Sequence, residues 1–384
     1  MKKIKKRKIA IIAGSRGEYG YFRPIIKEIE KNQNLDYGLI VTNMHLLDTF
    51  GYSIDEIKKD KFKIHSIVHN TLDGYNHITM VKSLSIFMIQ LPEILQQMGA
   101  DIILISGDRG EQLMASIVGA HMYIPVAHIQ AGEVTGNIDG VSRHAITKFA
   151  HIHFTANQDA TSRVLKMGEE KHRVFNVGAP MLDELINGEI TDSETICKKY
   201  KINKNQPTIL FVFHPVTEEF LFMEKYMDEI MKAVCSFKYR TIIILNNSDA
   251  GSKVIRRKIQ QYKTSLMSLY SNLPRADYGG LMSIVSVMVG NSSSAIIEAP
   301  TFKLPAVNIG NREEGRTQST NIINVGYDNE KIKKAIKKAI SYEFRKRVSK
   351  CINPYGDGKS AKRIVDVLEN INIDSNILVK KLTY

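Results

Sequence analysis

The sequence has no tryptophan and few cysteines among its 384 residues. Cys197, Cys235 and Cys351 lie far apart and form no C-x-x-C pair, which argues against a disulfide framework and against a zinc site. Such cysteine usage is typical of a reducing compartment, so we expect a cytoplasmic protein. The chain also lacks a D-x-D pair that could chelate Mg²⁺ at a diphosphate, and no other set of metal ligands is visible. We therefore expect neither a metal nor a cofactor.

Long apolar runs are also absent. The basic start "MKKIKKRKIAIIAGSRGEYG" has an apolar run of only about six residues, shorter than the roughly 7 to 15 of a signal peptide. No stretch approaches the roughly 18 to 20 apolar residues of a membrane-spanning helix, so no membrane partner is expected. The segment 78–98 has near-heptad apolar spacing, which indicates a core-facing helix or, alternatively, a subunit interface. We expect a homo-oligomer, either a dimer or a tetramer.

Acidic residues are too few to balance the basic ones. The chain has 53 Lys and Arg against 40 Asp and Glu, and its formal net charge is +13. Beyond the first seven residues, however, the lysines are spread along the chain without interleaved aromatic residues or a known nucleic-acid motif. We expect a solvated basic surface that attracts small anionic substrates, and no nucleic-acid partner.

What the sequence does contain is a regular alternation of short apolar runs with helix-length amphipathic segments. This pattern predicts βαβ units and parallel sheets that are buried on both faces. We predict an α/β fold with two doubly wound, Rossmann-like domains, over residues 1–180 and 207–355, joined by a linker region over 181–206. Residues 356–384 are predicted to form a last helix that packs back on the first domain. Ligands of such sheets bind beyond the carboxyl ends of the strands, so we expect an intervening cleft.

Carboxylates follow two neighbouring strands of the first predicted domain. Asp108 ends one strand in "SGDRGEQ", and Glu133 and Asp139 follow the next strand in "HIQAGEVTGNIDGVSRH". Clustered carboxylates can hold displaced pKa values and share acid and base work. Taken singly, Asp108 and Asp139 could instead cap helices, and Arg143 could pair with either. Earlier, "AGSRGEYG" places Arg16 in a strand-to-helix turn that could meet an anion or be an ordinary tight turn.

A run of serines in "VGNSSSAIIEAP" opens a helix in the second predicted domain. Ser292, Ser293 and Ser294, with the free N–H groups of the helix, predict a metal-free phosphate cradle. Glu298 comes one turn later and could accept hydrogen bonds from ribose hydroxyls. The alternative is that a serine caps the helix and Glu298 is solvated. Further candidates at strand ends are His214, which could be an ordinary surface or core histidine, and Arg312 and Arg316, which could either clamp a phosphate or form a salt-bridged loop.

Five motifs in order resemble those of the hydrolysing UDP-N-acetylglucosamine 2-epimerases, over roughly residues 8–370. They are "GSRGEYG", "GDRGE", "H-x-x-x-GE-x-x-G-x-x-D-x-x-x-RH", "FHP" and "GNSSS-x-x-x-E". The non-hydrolysing epimerases usually read "GTRPE" and "HVEAG-LR" in these places, which favours hydrolysis. The resemblance implies a GT-B-like fold with the substrate held in the cleft. It makes Asp108, Glu133 and Asp139 essential to the chemistry and His214 a catalytic or diphosphate-contacting group. It makes Arg16, Ser292, Ser293 and Ser294 diphosphate ligands and Glu298 the ribose ligand.

The implied reaction converts UDP-N-acetylglucosamine, or a UDP- or GDP-linked 4-acetamido-4,6-dideoxy relative, to the free manno-configured sugar and a nucleoside diphosphate. It would pass through a glycal intermediate and supply the synthesis of nonulosonic (sialic or legionaminic) acids. Alternatives are a GT-B glycosyltransferase, a non-hydrolysing epimerase and, more distantly, a non-catalytic nucleotide-sugar or RNA-binding protein. The sugar, the nucleotide and the division of acid and base roles among the carboxylates stay open.

Overall fold

The computed structural model describes residues 6–48, 51–72, 77–134, 138–245, 252–381 and 383. The chain divides into two compact units, of which the first is Met1–Asp183 with Tyr355–Tyr384 and the second is Glu184–Pro354. Each unit contains one sheet in which all strand pairs are parallel. The predicted α/β class is therefore confirmed.

The first sheet has seven strands in the order β3-β2-β1-β4-β5-β6-β7, and the second has six in the order β10-β9-β8-β11-β12-β13. In both sheets the strand order reverses beside the first strand of the unit, between β1 and β4 and between β8 and β11. Ligands of doubly wound sheets bind at this point. The strands are β1 (Arg7–Ala13), β2 (Leu35–Thr42), β3 (Ile64–Val68), β4 (Ile102–Ser106), β5 (Val126–Ile129), β6 (Ile152–Thr155), β7 (Val174–Asn176), β8 (Thr208–Val212), β9 (Arg240–Ile244), β10 (Met267–Tyr270), β11 (Val287–Gly290), β12 (Ala306–Ile309) and β13 (Ile322–Val325).

Helices alternate with these strands along the chain. They are α1 (Arg16–Lys31), α2 (Ile54–Lys59), α3 (His77–Met98), α4 (Gly110–His121), α5 (Ile138–Phe149), α6 (Gln158–Lys166), α7 (Met181–Ile186), α8 (Ser193–Tyr200), α9 (Met223–Cys235), α10 (Ser252–Gln261), α11 (Arg275–Ile284), α12 (Ser294–Ile297), α13 (Asn329–Ile340), α14 (Tyr342–Val348), α15 (Ser360–Asn370) and α16 (Ser375–Leu378). Short 3₁₀ turns lie at Asn43–Leu46, Lys171–Arg173, Thr217–Phe222 and Ala299–Phe302.

The segment predicted as a linker, 181–206, contains two helices. The Asp192 carboxylate accepts hydrogen bonds from the backbone N–H groups of Glu194 and Thr195, both at 3.0 Å, and so begins α8. Ile196 of α8 is buried against α11, where Gly280 leaves it room, because a Cβ at that glycine would lie 2.8 Å from Ile196. From Glu184 onward the segment belongs to the second unit.

The C-terminal residues pack on the first unit. Arg7 Nη1 donates hydrogen bonds to the carbonyls of Leu368 and Glu369 at 2.5 and 2.9 Å. Asn32 Nδ2 donates to Glu369 Oε2 at 2.8 Å, at the end of α1. Helix α15 thereby covers α1, and the first unit is completed by residues that come after the whole second unit.

Helix α3 has two different faces. Phe87, Leu91 and Leu95 are fully buried in a core cluster with strand residues of the first sheet. On the other face Ile78, Val81 and Ile89 are exposed to 68, 58 and 73%. By length and composition Ile78–Met98 could cross a membrane, so the expectation that no stretch reaches that length is wrong. Its buried row packs in the core cluster of the first sheet, although only 22% of its apolar window is buried.

Candidate active site

Asp108 and Arg143 form an ion pair at the carboxyl end of the first sheet. Arg143 Nη2 donates to Asp108 Oδ2, and Arg143 Nη1 donates to the carbonyl of Gln130 at 2.8 Å. The Arg143 side chain is 3% exposed. One guanidinium on α5 therefore fixes the turns that follow β4 and β5. Asp108 does not cap α4, since the cap residue of that helix is Arg109.

Glu133 is buried at the next strand end. Asn157, which follows β6 and caps α6, donates its amide Nδ2 to Glu133 Oε1 at 3.1 Å. Asn157 was not among the predicted site residues, although its position directly after the strand "HIHFTA" is the same signal that identified Asp108. Asp139 lies in α5, but its side chain is outside the described residues, as are residues 135–137.

His128 supports these turns from inside the sheet. Its Nε2 lies 2.7 Å from the carbonyl oxygen of Gly107, a residue with φ of +79°. Burial lowers the pKa of His128 to about 3, so the ring is neutral at ordinary pH and can donate only one N–H. The neighbouring Gln130 has φ of +64°, a conformation rare outside glycine, and its amide donates to the hydroxyl of Tyr21.

Arg16 begins α1 directly after β1. Its Nη2 lies 3.2 Å from Glu56 Oε1, and both side chains are partly exposed. Its Nε is buried and has no hydrogen-bond partner among the residues that the structure describes. The guanidinium therefore keeps N–H capacity for an anion at the carboxyl end of β1, next to the N-terminus of a 16-residue helix.

Two buried glutamates behind this turn were not predicted as site residues. Glu18 Oε2 accepts a hydrogen bond from the backbone N–H of Gly14 at 2.8 Å. Glu111 Oε1 accepts one from Asn43 Nδ2. Burial raises the pKa of Glu18 to about 8, Arg109 opposes this, and Glu111 adds to it. The S-x-x-E spacing of Ser15 and Glu18 is a capping-box signal that could have identified the first of them.

The serine run of the second unit lies at the carboxyl end of β11. Ser292 Oγ and Ser294 Oγ are 2.9 Å apart, and Tyr278 Oη lies 2.5 Å from Ser294 Oγ. Ser293 precedes α12 with helical dihedral angles, and its side chain makes no capping hydrogen bond. Gly290 is required before the run, because a Cβ there would lie 1.9 Å from the carbonyl oxygen of Val212. Ser292 Oγ also accepts the backbone N–H of Ser294 at 3.4 Å, so one hydroxyl does cap the start of α12, as in the capping alternative.

Glu298 is buried, and its Oε1 lies 2.5 Å from Arg275 Nη1. The alternative of a solvated glutamate is wrong. Arg275 begins α11, so the ion pair joins the helix start to the end of the serine turn. Neither Arg275 nor Tyr278 was predicted from sequence, because each is recognisable only by its contact with a residue about twenty positions later in the chain.

Asn291 organises the strand ends beside the serines. His214 donates its backbone N–H to Asn291 Oδ1 at 2.7 Å, and Asn291 Nδ2 donates to the His214 carbonyl at 2.8 Å. Arg312 Nη1 donates to the Asn291 carbonyl at 3.1 Å. Burial, together with Arg312, lowers the pKa of His214 to about 3, so its imidazole is neutral. His214 Nδ1 is buried without a partner in the described part of the chain.

Arg312 and Arg316 share one carboxylate. Arg312 Nη1 lies 2.5 Å from Glu313 Oε1, and Arg316 Nε lies 3.1 Å from Glu313 Oε2. This is the predicted salt-bridged loop, although two cations on one carboxylate leave a positive charge next to Asn291. Among the described residues, no three His, Cys, Asp or Glu side chains are grouped so as to hold a metal ion.

Comparison with known proteins agrees with these motifs. A family model described as UDP-N-acetylglucosamine 2-epimerase matches residues 27–369. A Legionella pneumophila protein named UDP-N,N'-diacetylbacillosamine 2-epimerase (hydrolyzing) is 34% identical over 98% of this chain and 100% of its own length. A Campylobacter jejuni protein named GDP/UDP-N,N'-diacetylbacillosamine 2-epimerase (hydrolyzing) is 32% identical over 97% of this chain and 98% of its own.

A solved structure shows the same fold. The UDP-GlcNAc 2-epimerase of Neisseria meningitidis, bound to UDP-GlcNAc, superposes with a TM-score of 0.80 over 94% of this chain and 99% of its own, at 21% identity. The predicted GT-B-like α/β architecture is confirmed, and the names of the two relatives confirm the hydrolysing 2-epimerase activity. The family model and both relatives cover most of the length of this chain. The chain therefore belongs to the UDP-N-acetylglucosamine 2-epimerase family.

Proposed function

We propose that the substrate of this hydrolysing 2-epimerase is UDP-linked N,N'-diacetylbacillosamine. The products would be the free manno-configured sugar and UDP, for the synthesis of nonulosonic acids. The sugar named for both of these relatives supports this choice, and it fits the predicted 4-acetamido-4,6-dideoxy class. UDP is the nucleotide common to the two names. UDP-N-acetylglucosamine is the second candidate, favoured by the description of the family model.

The observation that carries the proposal is that Asp108 and Glu133 follow neighbouring strands, with Arg143 joining the turns behind them. Epimerisation at C2 requires loss of H2 as the C1–O bond to the diphosphate breaks, which gives a glycal. Water then adds to C1, and a proton is delivered to C2 from the opposite face. These steps need a base and an acid held in fixed positions. We assign them jointly to Asp108, Glu133 and Asp139.

The leaving diphosphate needs donors without a metal. We assign this task to Arg16, to the hydroxyls of Ser292, Ser293 and Ser294, and to the positive charge of Arg316 and Arg312. His214 is neutral and therefore able to donate one N–H to a phosphate oxygen. Glu298, held by Arg275, would accept the ribose hydroxyls.

The test is product analysis without any sugar acceptor. The protein is incubated with UDP- and GDP-linked N,N'-diacetylbacillosamine and with UDP-N-acetylglucosamine in D₂O, and the released sugar is identified by NMR. We expect release of UDP and a manno-configured sugar that carries deuterium at C2. A gluco product without deuterium would mean plain hydrolysis at C1, an epimer still bound to nucleotide would mean a non-hydrolysing enzyme, and little turnover would favour a transferase.

We also infer a homo-oligomer formed through helix α3. The exposed apolar row of Ile78, Val81 and Ile89 recurs at spacings of three and eight residues, which suits packing against the same helix of a second copy. The variant V81K/I89K should shift the mass measured by light scattering to that of a smaller species. The control Y342K changes an equally exposed residue, 74% accessible, in the second unit. An unchanged mass in V81K/I89K would refute this interface.

The three free cysteines suit the cytoplasmic location that we infer.

A further inference from the structure

The last residues of the chain are held by one buried arginine. Arg173 is fully buried, and its guanidinium donates to the carbonyls of Ile377 at 2.6 Å and Val379 at 3.0 Å, and also to that of Asn376. The Asp374 carboxylate accepts the backbone N–H of Asn376 at 2.9 Å and so begins α16. These contacts give residues 374–380 a defined path across the first unit.

The path brings Lys380 to the C-terminus of helix α5. Lys380 Nζ donates to the carbonyls of Thr147, Lys148 and Ala150 at 2.8, 3.0 and 2.7 Å. The last carbonyls of a helix lack partners within the helix, and a cation there also interacts favourably with the helix dipole. Lys380 therefore caps α5 from 230 residues away in sequence.

A buried carboxylate keeps the ammonium group in place. Glu169 Oε2 lies 2.7 Å from Lys380 Nζ and 3.0 Å from His153 Nε2, and Glu169 Oε1 lies 3.4 Å from Lys148 Nζ. Burial works against ionisation of Glu169, but the contacts with His153 and Lys380 lower its pKa to about 2. Burial lowers the pKa of Lys380 to about 8, against the attraction of Glu169.

The same helix carries the machinery of the proposed reaction at its other end. Asp139 lies in its first turn, and Arg143, one turn later, holds both Asp108 and the carbonyl of Gln130. A shift of α5 along its axis would therefore move the guanidinium that fixes the turns after β4 and β5.

We propose that the C-terminal tail sets the position of α5 and that Lys380 is a positioning residue for the Asp108–Arg143 pair. The proposal rests on the proposed function in that its catalytic readout is turnover of the nucleotide sugar. Lys380 itself contacts no substrate. Its cap limits movement of α5, and displacement of a catalytic group by about 1 Å can lower a rate by roughly 10²-fold.

The experiment compares K380M, which removes the charge and the donors, with K380R, which keeps a cation with N–H groups at the helix end. The matched control is K381M, because Lys381 is the next residue and is exposed. For each variant, kcat and KM are measured with the nucleotide sugar, UDP affinity is measured by calorimetry, and amide hydrogen exchange is followed over residues 138–149 of the full chain.

For K380M we expect faster exchange in α5 and a kcat lowered by about 10-fold or more, with KM and UDP affinity changed less than about twofold. K380R should recover most of kcat, and K381M should behave as the unchanged protein. Normal kcat and exchange in folded K380M would overturn the proposal. A lower kcat together with a comparably raised KM and weakened UDP affinity, without recovery in K380R, would also overturn the proposal. That pattern would indicate general destabilisation.

Failure of K380M to fold and failure of the proposed function can each be told apart from failure of the cap. If K380M does not fold, K380Q retains two N–H donors without the charge, and its exchange in α5 should lie between those of K380M and the unchanged protein. Unaltered exchange in K380Q would count against the cap. If the unmodified protein turns over none of the nucleotide sugars, the proposed function fails. The hydrogen-exchange comparison then still decides whether Lys380 holds α5.

Discussion

The two sheets place different chemistry at the same position in the fold. In the first unit the turns after β4 and β5 carry Asp108 and Glu133, and Arg143 holds them through Asp108 and the Gln130 carbonyl. In the second unit the turn after β11 carries hydroxyls bonded to each other, and Asn291 bonds to both backbone groups of His214, with Arg312 on the Asn291 carbonyl. Carboxylates suit proton transfer, whereas neutral donors and nearby arginines suit a diphosphate, which carboxylates would repel. Under the proposed function, the first unit would supply the acid and base groups and the second unit most of the donors to the diphosphate.

The strongest way to break this comparison is to remove the carboxylates of the first unit. D108N and E133Q keep side-chain shape but remove proton-transfer capacity, so each should lower kcat by roughly 10²- to 10⁴-fold while UDP affinity changes little. D159N is the control, because Asp159 is an exposed aspartate paired with Arg163 on α6. Near-normal kcat in both D108N and E133Q would show that these turns are structural only.

The charged support of the first unit should also matter for stability. R143M leaves Asp108 without its partner, and breaking a buried ion pair costs about 3 to 5 kcal/mol in the free energy of unfolding. R257M breaks the exposed pair that Arg257 forms with Glu224 and should cost less than about 1 kcal/mol. Urea unfolding measures both. Equal losses in the two variants would mean that Arg143 has no special structural weight.

Substitutions in the second unit should weaken UDP binding and leave proton transfer at C2 unchanged. E298Q weakens the acceptor for the ribose hydroxyls, so UDP affinity should fall by about 1 to 3 kcal/mol. The C2 deuterium content of whatever product forms should stay unchanged. E314Q, at an exposed glutamate of the neighbouring loop, serves as the control. A variant with full UDP affinity would leave Glu298 as a partner of Arg275 and nothing more.

The last prediction concerns pH. Because the pKa of Glu18 is about 8 in the folded protein and 4.5 otherwise, the folded state binds an extra proton between these values. Its contribution to stability is complete below pH 4.5 and is lost as pH rises towards 8. The melting temperature of E18Q should therefore fall less between pH 5 and about 8 than that of the unchanged protein. E28Q, which alters a partly exposed glutamate paired with Lys31, should leave the pH dependence unaltered. Parallel pH curves for E18Q and the unchanged protein would refute the raised pKa.

The parallel sheets and the strand ends that carry Asp108, Glu133 and His214 could be predicted because hydrophobic periodicity is a local property of the sequence. Partners far apart in sequence could not. The periodicity of α5 says nothing of Lys380, and the serine run does not reveal that Tyr278 and Arg275 contact it. The helices within 181–206 were missed because the buried residues of α7 include the carboxylates Asp183 and Glu184, and α8 buries only Ile196 and Tyr200 among polar residues. For α3, the apolar spacing was visible, but only the packing separates its buried row from its exposed one.

The hold of Arg173 on the tail has a consequence for biosynthesis. The first unit is interrupted in sequence by the whole second unit, and the buried guanidinium of Arg173 bonds to one carbonyl of His151 but to three carbonyls of residues 376–379. Domains generally fold as they emerge during synthesis, yet here residues 1–183 must wait for the far end of the chain. During translation the second unit can be complete while Arg173 and the last carbonyls of α5 still lack their partners in the tail. The nascent first unit is thus the part of this protein that most needs protection from aggregation.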